Sequence, residues 1–230
     1  MKRLLSAIAA VMLLLGLGAI VVLALPDANT APAAVVPVAV AAAPSGPEAL
    51  AAPNAAFNWN AIAMALDARS TLPNAQALAD AIPGAQQLLR WDASIQNFDY
   101  YIPGGGGGNN FNTTVGEPYL VLVDNTASNV FSMVGDVPPQ SGQSGAVQFN
   151  LVGGSPCQWN YISVPLDKSN ILDAQDLADA IGDVEQILVW DASIQNFDYY
   201  IPGGGGGNNF ATQIGYPYWV CIGQSKVWPQ

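Results

Sequence analysis

Apolar and polar residues alternate over residues 58–66 and again over residues 158–166, which predicts a half-buried strand in each stretch. Each strand is followed by a segment with apolar residues four positions apart, and this spacing puts them on one face of a short helix. Asn74 and Asp173 are the predicted N-caps of these helices. Further alternating segments separated by turn residues predict a hairpin and a closing strand. The pattern indicates a mainly β (α+β) fold with antiparallel strands.

This order of elements occurs twice because the sequence itself repeats with a period of 99–100 residues. The 21 residues Trp91–Phe111 are identical to Trp190–Phe210. The period exceeds the roughly 20–50 residues typical of solenoids and propellers, so each copy should be a small module of its own. We therefore expect two tandem antiparallel β-sandwich or barrel modules, each with one short helix: module 1 at residues 57–136 and module 2 at residues 147–230, joined by a linker at residues 137–146.

The N-terminal region predicts export. Lys2 and Arg3 precede residues 4–25, which carry no charge and are long enough to cross a hydrocarbon core of about 30 Å as a helix. Residues 1–25 are therefore either a cleaved signal peptide or a membrane anchor. In both cases the rest of the chain is extracytoplasmic, because the basic residues hold the N-terminus inside. Residues 26–56 contain 13 Ala and 6 Pro, which predicts an extended stalk.

Composition narrows the classes of function. The chain has 17 Asp and Glu against 6 Lys and Arg, and its formal net charge of -11 argues against binding to nucleic acid or to anionic lipid. The only membrane contact we expect is through residues 4–25. The sequence contains no histidine, which excludes Ser-His and Cys-His nucleophile pairs and most zinc sites. We therefore expect a protein that is not an enzyme.

Both cysteines lie in module 2. Cys157 precedes its first predicted strand and Cys221 lies in its closing strand, and the equivalent residues of module 1 are Phe57 and Leu122. A cysteine pair thus replaces an apolar pair at both equivalent positions. Since exported proteins form disulfides, we predict a Cys157–Cys221 bond.

Aromatic residues beside the five-glycine runs are the candidate binding residues. Adjacent tyrosines in a strand point to opposite faces, so one of each pair is exposed or lies at an interface. Bare backbone groups of the glycine runs could then form the lip of a binding groove, although a solvated loop is the alternative. The candidates are Tyr100, Tyr101, Phe111, Tyr199, Tyr200 and Phe210.

Carboxylates near the hairpin turns are weak candidates for a cation site. The side-chain oxygens of Asp, Ser and Asn in a tight turn resemble a Ca²⁺ ligand set, although the spacing matches no EF-hand loop. The same residue types are also ordinary components of hairpin turns. The carboxylates concerned are Asp92, Asp99, Asp191 and Asp198. Apart from this Ca²⁺, no cofactor is expected.

The openings of both modules, at Trp59–Ile62 and Trp159–Leu166, resemble the W-N-x-I-S-x-P start of tandem β-rich modules in exported bacterial proteins of the Chloroflexota type. The Gly215–Val220 close is similar to theirs as well. The resemblance implies the architecture and an exported location, and it brings no catalytic or ligand-binding residues. Module 1 departs from it, with Ala63-Met64-Ala65 where module 2 has Ser-Val-Pro.

Several functions remain open at this point. The first is a structural or adhesive role at the cell surface or envelope, with a surface glycan, a protein or a second copy of the chain as partner. The second is a pair of carbohydrate-binding modules. A pilin-like filament subunit and a hydrolase are remoter alternatives.

Overall fold

The computed structural model describes residues 20–21, 34–40, 57–124 and 130–229. The predicted signal peptide or anchor and the predicted stalk lie outside these ranges, except for two strands, β1 (Ile20–Val21) and β2 (Ala34–Val40). Across the described ranges, no helix combines the length and the apolar character needed to cross a membrane.

Module 1 forms a five-stranded antiparallel sheet with the order β3-β7-β4-β5-β6. Helix α1 (Ala75–Ala81) follows the first strand, and the predicted N-cap Asn74 is confirmed, because its side chain accepts a hydrogen bond from the backbone N–H of Ala77. A further strand, β8 (Val130–Gly135), pairs with β2 rather than with the main sheet. The strands of the sheet are β3 (Phe57–Ala63), β4 (Ala85–Asp92), β5 (Asn97–Ile102), β6 (Gly107–Gly108) and β7 (Pro118–Asp124).

Module 2 repeats this topology, with the order β10-β14-β11-β12-β13 and helix α2 (Ala174–Ile181) capped by Asp173. A small ribbon of β9 (Phe149–Leu151) and β15 (Lys226–Trp228) stands where module 1 has β2 and β8. The strands of its sheet are β10 (Gln158–Ser163), β11 (Val184–Asp191), β12 (Asn196–Ile201), β13 (Gly206–Gly207) and β14 (Pro217–Ile222). The mainly β, antiparallel prediction with two short helices is confirmed for the described residues.

One face of each sheet is covered by that module's own helix. Since side chains alternate along a strand, every second residue contributes to this helix-side core. Leu78 on α1 and Leu177 on α2 are fully buried against it. The sheets supply the remaining large members, which include Ile62, Leu88, Tyr119, Val121, Ile162, Ile187, Tyr218 and Val220.

The other face of each sheet packs against the sheet of the other module. Along each strand, the residues that alternate with those of the helix-side core point to this other face. They form a second buried cluster, which we call the inter-module layer. The sandwich is therefore made by the two modules together, with helices on the outside and the two sheets in the middle. The buried members are Trp59, Ala61, Leu89, Leu120, Trp159, Tyr161, Trp190, Ala192, Trp219 and Cys221.

The predicted disulfide is confirmed, with the Cα atoms of Cys157 and Cys221 5.4 Å apart. Cys221 pairs with Trp159 across β10 and β14, and Cys157 lies two residues before Trp159, on the same side of the strand. The pairing of β10 with β14 is continuous from Gln158 to Ser163, so the cysteines meet without a bulge between these strands.

Candidate functional site

The surface that the sequence analysis singled out forms the outer edge of each sheet. We call residues 97–110 of module 1 and the equivalent residues 196–209 of module 2 the tyrosine–glycine edges. In module 1 the chain leaves β5 through a 3₁₀ turn at Pro103–Gly105 and returns as β6. Gly104, Gly105, Gly107 and Gly108 all have positive φ, between 71° and 105°, and this conformation strongly favours glycine.

Each edge is anchored at its end, so it is an ordered surface. The Asn109 amide donates to the Asp99 carboxylate over 2.9 Å, and Asp99 is also paired with Arg90 over 2.9 Å. The Asn110 side chain accepts from the backbone N–H of Gln76 at the start of α1. Module 2 repeats the first and last of these contacts through Asn208 and Asn209.

Tyr100 and Tyr199 are the two exposed rings of the predicted set, with 44% and 45% of their surfaces accessible. They point to the same sheet face as Phe98 and Phe197, which lie two residues earlier and are partly buried against the inter-module layer. The opposite module therefore covers this face at the phenylalanines and leaves it open at the tyrosines. The backbone at Gly108 lies so close to Tyr100 that a Cβ added to Gly108 would be 2.2 Å from the carbonyl oxygen of Tyr100.

The other four candidate aromatic residues belong to the helix-side cores. Tyr101 and Phe111 are buried, and the Phe111 ring stacks on Tyr119 with centroids 5.8 Å apart. Tyr200 is partly buried and donates its hydroxyl hydrogen to Gln175, while Phe210 stacks on Tyr218. Tyr100 and Tyr101 are neighbours in one strand, as are Tyr199 and Tyr200. Since neighbouring side chains of a strand point to opposite faces, one ring of each pair lies on the helix side of its sheet.

The four candidate carboxylates make local contacts. Asp92 accepts from both the backbone N–H and the hydroxyl of Ser94, and these bonds lower the pKa of its carboxyl. Asp191 accepts hydrogen bonds from the backbone N–H and the hydroxyl of Ser193, and Asp198 accepts one from Asn208. Within the part of the chain that the structure describes, no three His, Cys, Asp or Glu side chains are grouped as a metal site would require.

A pair of hydrogen bonds between the modules, which we call the glutamine clamp, was not predicted from the sequence. Gln96, in the β4–β5 turn, donates to the carbonyl of Trp159 and accepts from its N–H, each over 2.9 Å. Gln96 holds a φ of 52°, which disfavours residues other than glycine, asparagine and aspartate. Its repeat equivalent, Gln195, reaches the carbonyl of Trp59 over 3.5 Å. No local pattern indicates this contact, because Gln96 and Trp159 are 63 positions apart in the sequence.

A cleft between the modules was also not predicted from the sequence. Its volume is about 200 Å³, and it lies between Trp91 and Glu117 of module 1 and Phe149, Asn160 and Tyr161 of module 2. Glu117 is mostly buried, which raises the pKa of its carboxyl, and it accepts a 2.5 Å hydrogen bond from Tyr119. Its repeat equivalent is Tyr216. An alignment of the two copies could have drawn attention to this position, because a charged residue in one copy corresponds to an aromatic residue in the other between otherwise matching residues.

Comparison of the chain with protein-family models, with curated proteins and with solved structures gave no match.

Proposed function

We propose that this is a non-enzymatic exported protein that adheres, at the cell surface or envelope, through its two tyrosine–glycine edges. Two β modules with one short helix each would be carried on the Ala/Pro-rich stalk. The basic start and apolar segment of residues 1–25 support the extracytoplasmic location.

The observation that carries the proposal is the identity of Trp91–Phe111 and Trp190–Phe210. In each copy 11 of these 21 residues are exposed, among them the tyrosine, an isoleucine and all five glycines. Exposed positions generally tolerate change, whereas buried ones are held by packing. Here some buried inter-module positions outside this segment differ between the copies, such as Ala61 against Tyr161 and Leu120 against Trp219, while the exposed residues within it do not. A shared binding task explains why this surface stayed the same.

The form of the edge favours a macromolecular partner. Each five-stranded sheet ends in a two-residue glycine strand, and a terminal strand presents backbone N–H and C=O groups on its outer side. At Gly104, Gly105 and Gly107 an added Cβ would meet nothing within 4 Å, so the space above these residues is open. An extended chain from another protein, or from a second copy, could pair there beside the exposed tyrosine.

The test measures adhesion and self-association of the full chain displayed on a bacterial host. Tyr100→Lys with Tyr199→Lys should abolish cell aggregation or binding to the partner surface, because it puts a long charged side chain on each edge. Leu172→Ala with Val137→Ala is the matched control, since these exposed apolar residues lie outside the edges. Unchanged adhesion in the tyrosine variant, at equal surface display, contradicts the proposal.

Binding to carbohydrate is the second candidate, and the exposed tyrosines favour it because aromatic faces stack on sugar rings. Pull-down on insoluble glycans separates the two. If glycan is the partner, Tyr100→Ala and Tyr199→Ala should each weaken retention, and the double variant should lose it, because two linked sites bind with avidity. If neither substitution changes retention on any glycan, this candidate fails.

A further inference from the structure

Asn60 and Asn160 are buried asparagines at equivalent positions of the two modules. Each lies in the strand that ends its sheet, β3 or β10, and only 1% and 2% of their surfaces are accessible. An asparagine side chain accepts hydrogen bonds through its oxygen and donates them through its amide nitrogen. Since burial separates these groups from bulk water, both ends of each side chain require hydrogen-bond partners inside the protein.

In module 2 this side chain holds one residue of the segment that leads into β10. The Oδ1 atom of Asn160 accepts from the backbone N–H of Val152 over 2.7 Å, and its Nδ2 atom donates to the Val152 carbonyl over 2.9 Å. Nδ2 also donates to the carbonyl of Gln158 over 3.1 Å. We call the two bonds to Val152 the asparagine clasp. Because the clasp uses only backbone groups of Val152, it requires an extended chain there but no particular side chain.

In module 1 the equivalent side chain is engaged at one end. The Nδ2 atom of Asn60 donates to the carbonyl of Asn58 over 3.2 Å, which corresponds to the bond between Asn160 and Gln158. Within the described residues, the Oδ1 atom of Asn60 is buried and has no hydrogen-bond partner. A buried acceptor without a hydrogen bond is unfavourable, and a backbone N–H from another part of the chain would remove that cost.

We infer that Asn60 clasps Ala52, near the end of the predicted Ala/Pro-rich stalk, and so fixes the stalk to module 1. Val152 precedes Asn160 by eight residues, and Ala52 precedes Asn60 by the same number. Ala52 has the backbone N–H and C=O that the clasp uses. Pro53 follows it, and a proline biases the preceding residue toward an extended conformation.

The clasp is separate from the tyrosine–glycine edges, because neither Asn60 nor Ala52 belongs to residues 97–110 or 196–209. The inference therefore does not depend on the proposed adhesion, and the two can fail independently. Its consequence is mechanical, since a pulling force on the stalk would act on the clasp before it reached β3.

The experiment measures amide hydrogen exchange of the full chain, residue by residue, by NMR in mild detergent. The Ala52 amide should exchange at least about 10-fold more slowly than an unstructured amide, because its N–H is bonded to Asn60. Asn60→Leu should remove this protection and leave the Val152 amide unchanged. The matched control Asn160→Leu should do the reverse, and expose Val152 while Ala52 stays protected.

A second variant leaves both sheets intact and so protects the test against poor folding. Ala52→Pro deletes the N–H that Asn60 accepts from, and it should raise the equilibrium constant of unfolding about 5-fold in urea, because the buried oxygen loses its donor. Ala49→Pro, three residues earlier, is the control and should have no effect of this kind.

Three results would overturn the inference. The first is a wild-type Ala52 amide that exchanges as fast as an unstructured one. The second is an Asn60→Leu effect that falls on β1, which also approaches β3, or on residues 41–43 after β2, and not on Ala52. The third is protection of Ala52 that increases with protein concentration, because the segment clasped by Asn60 would then come from a second copy of the chain.

Discussion

The two modules carry the same residues along their exposed tyrosine–glycine edges but differ at several positions of the layer where they touch. In the inter-module layer, module 2 contributes Tyr161 and Trp219, whose rings stack with centroids 4.4 Å apart, where module 1 has Ala61 and Leu120. The exposed segment containing Tyr100 is unchanged between them. Across the layer, Trp219 packs against Trp91 and Phe98 of module 1. The comparison shows that the two sides of the layer are built from partly different residues, while the exposed edges have the same sequence.

The largest expected effect comes from emptying the aromatic side of the layer. Trp219→Ala should lower the free energy of unfolding by about 3–5 kcal/mol, because Trp219 also packs edge-on to Trp91 with centroids 4.9 Å apart. Its repeat equivalent, Leu120→Ala, should lose at least about 1 kcal/mol less, since a smaller side chain is removed. Urea denaturation measures both. Equal losses would mean that the size difference between the modules has no energetic consequence.

The disulfide is a second difference between the modules, because both of its cysteines lie in module 2. Closing a loop over a sequence separation of 64 predicts a stabilisation of about 4 kcal/mol in the chain-entropy model, with about 2–4 kcal/mol typical in practice. Because the modules share a buried layer, a reductant should lower the melting temperature of a single transition. Calorimetry with and without reductant, and with Cys157→Ala plus Cys221→Ala, measures it. Two separate transitions, of which one shifts, would contradict a shared layer.

The two glutamine clamps provide a matched pair within one chain. Gln96→Ala removes two 2.9 Å hydrogen bonds to the backbone of Trp159 and should cost about 1–3 kcal/mol. Gln195→Ala removes a single 3.5 Å bond to Trp59 and should cost less than about 1 kcal/mol. Both glutamines also hold a carbonyl of their own turn, so that local loss cancels between them. Equal destabilisation in urea would contradict the expectation that the two shorter bonds of Gln96 contribute more than the single bond of Gln195.

The smallest expected effect is a pH dependence specific to module 1. Burial raises the pKa of Glu117, so the folded chain holds this proton more tightly than the unfolded chain does. Stability from this group is therefore fully present below the unfolded pKa, at about pH 4.3, and declines as pH rises through the higher folded pKa. Glu117→Gln should remove that decline when the free energy of unfolding is measured from about pH 4 to pH 8. The exposed Glu185→Gln is the control, and a parallel pH profile for wild type and Glu117→Gln would contradict the assignment.

Local patterns in the sequence were sufficient for the elements themselves. The helix caps at Asn74 and Asp173 were found because a capping residue and the apolar spacing that follows it are neighbours in the chain. The predicted closing strand of module 2 is present as β14, Pro217–Ile222. The disulfide was also within reach, because a cysteine pair at equivalent repeat positions needs only the repeat to be seen.

The candidate site was predicted in part. The adjacent tyrosines predicted one exposed ring in each pair. The alternation of side chains along a strand does not show which face of the sheet is covered, and therefore does not identify the exposed ring. Tyr100 is open and Phe98 is packed although both point the same way, because the opposite module ends between them. Glu117 and Tyr161 are 44 positions apart in the sequence and line the same cleft only when the two sheets stack.

By itself, the sequence determined the repeat, the strands, the helices and the cysteine pair, because each of these is set by residues that are near in the chain or equivalent in register. Tertiary structure alone decided that the two modules close on each other to make one sandwich. The alternation in the sequence predicted strands with one buried face, whereas β3 and β10 are buried on both faces because the other module covers the second one. The contacts that join the two sheets, such as Trp91 against Trp219 with ring centroids 4.9 Å apart, connect residues distant in the chain, so only the tertiary structure brings them together.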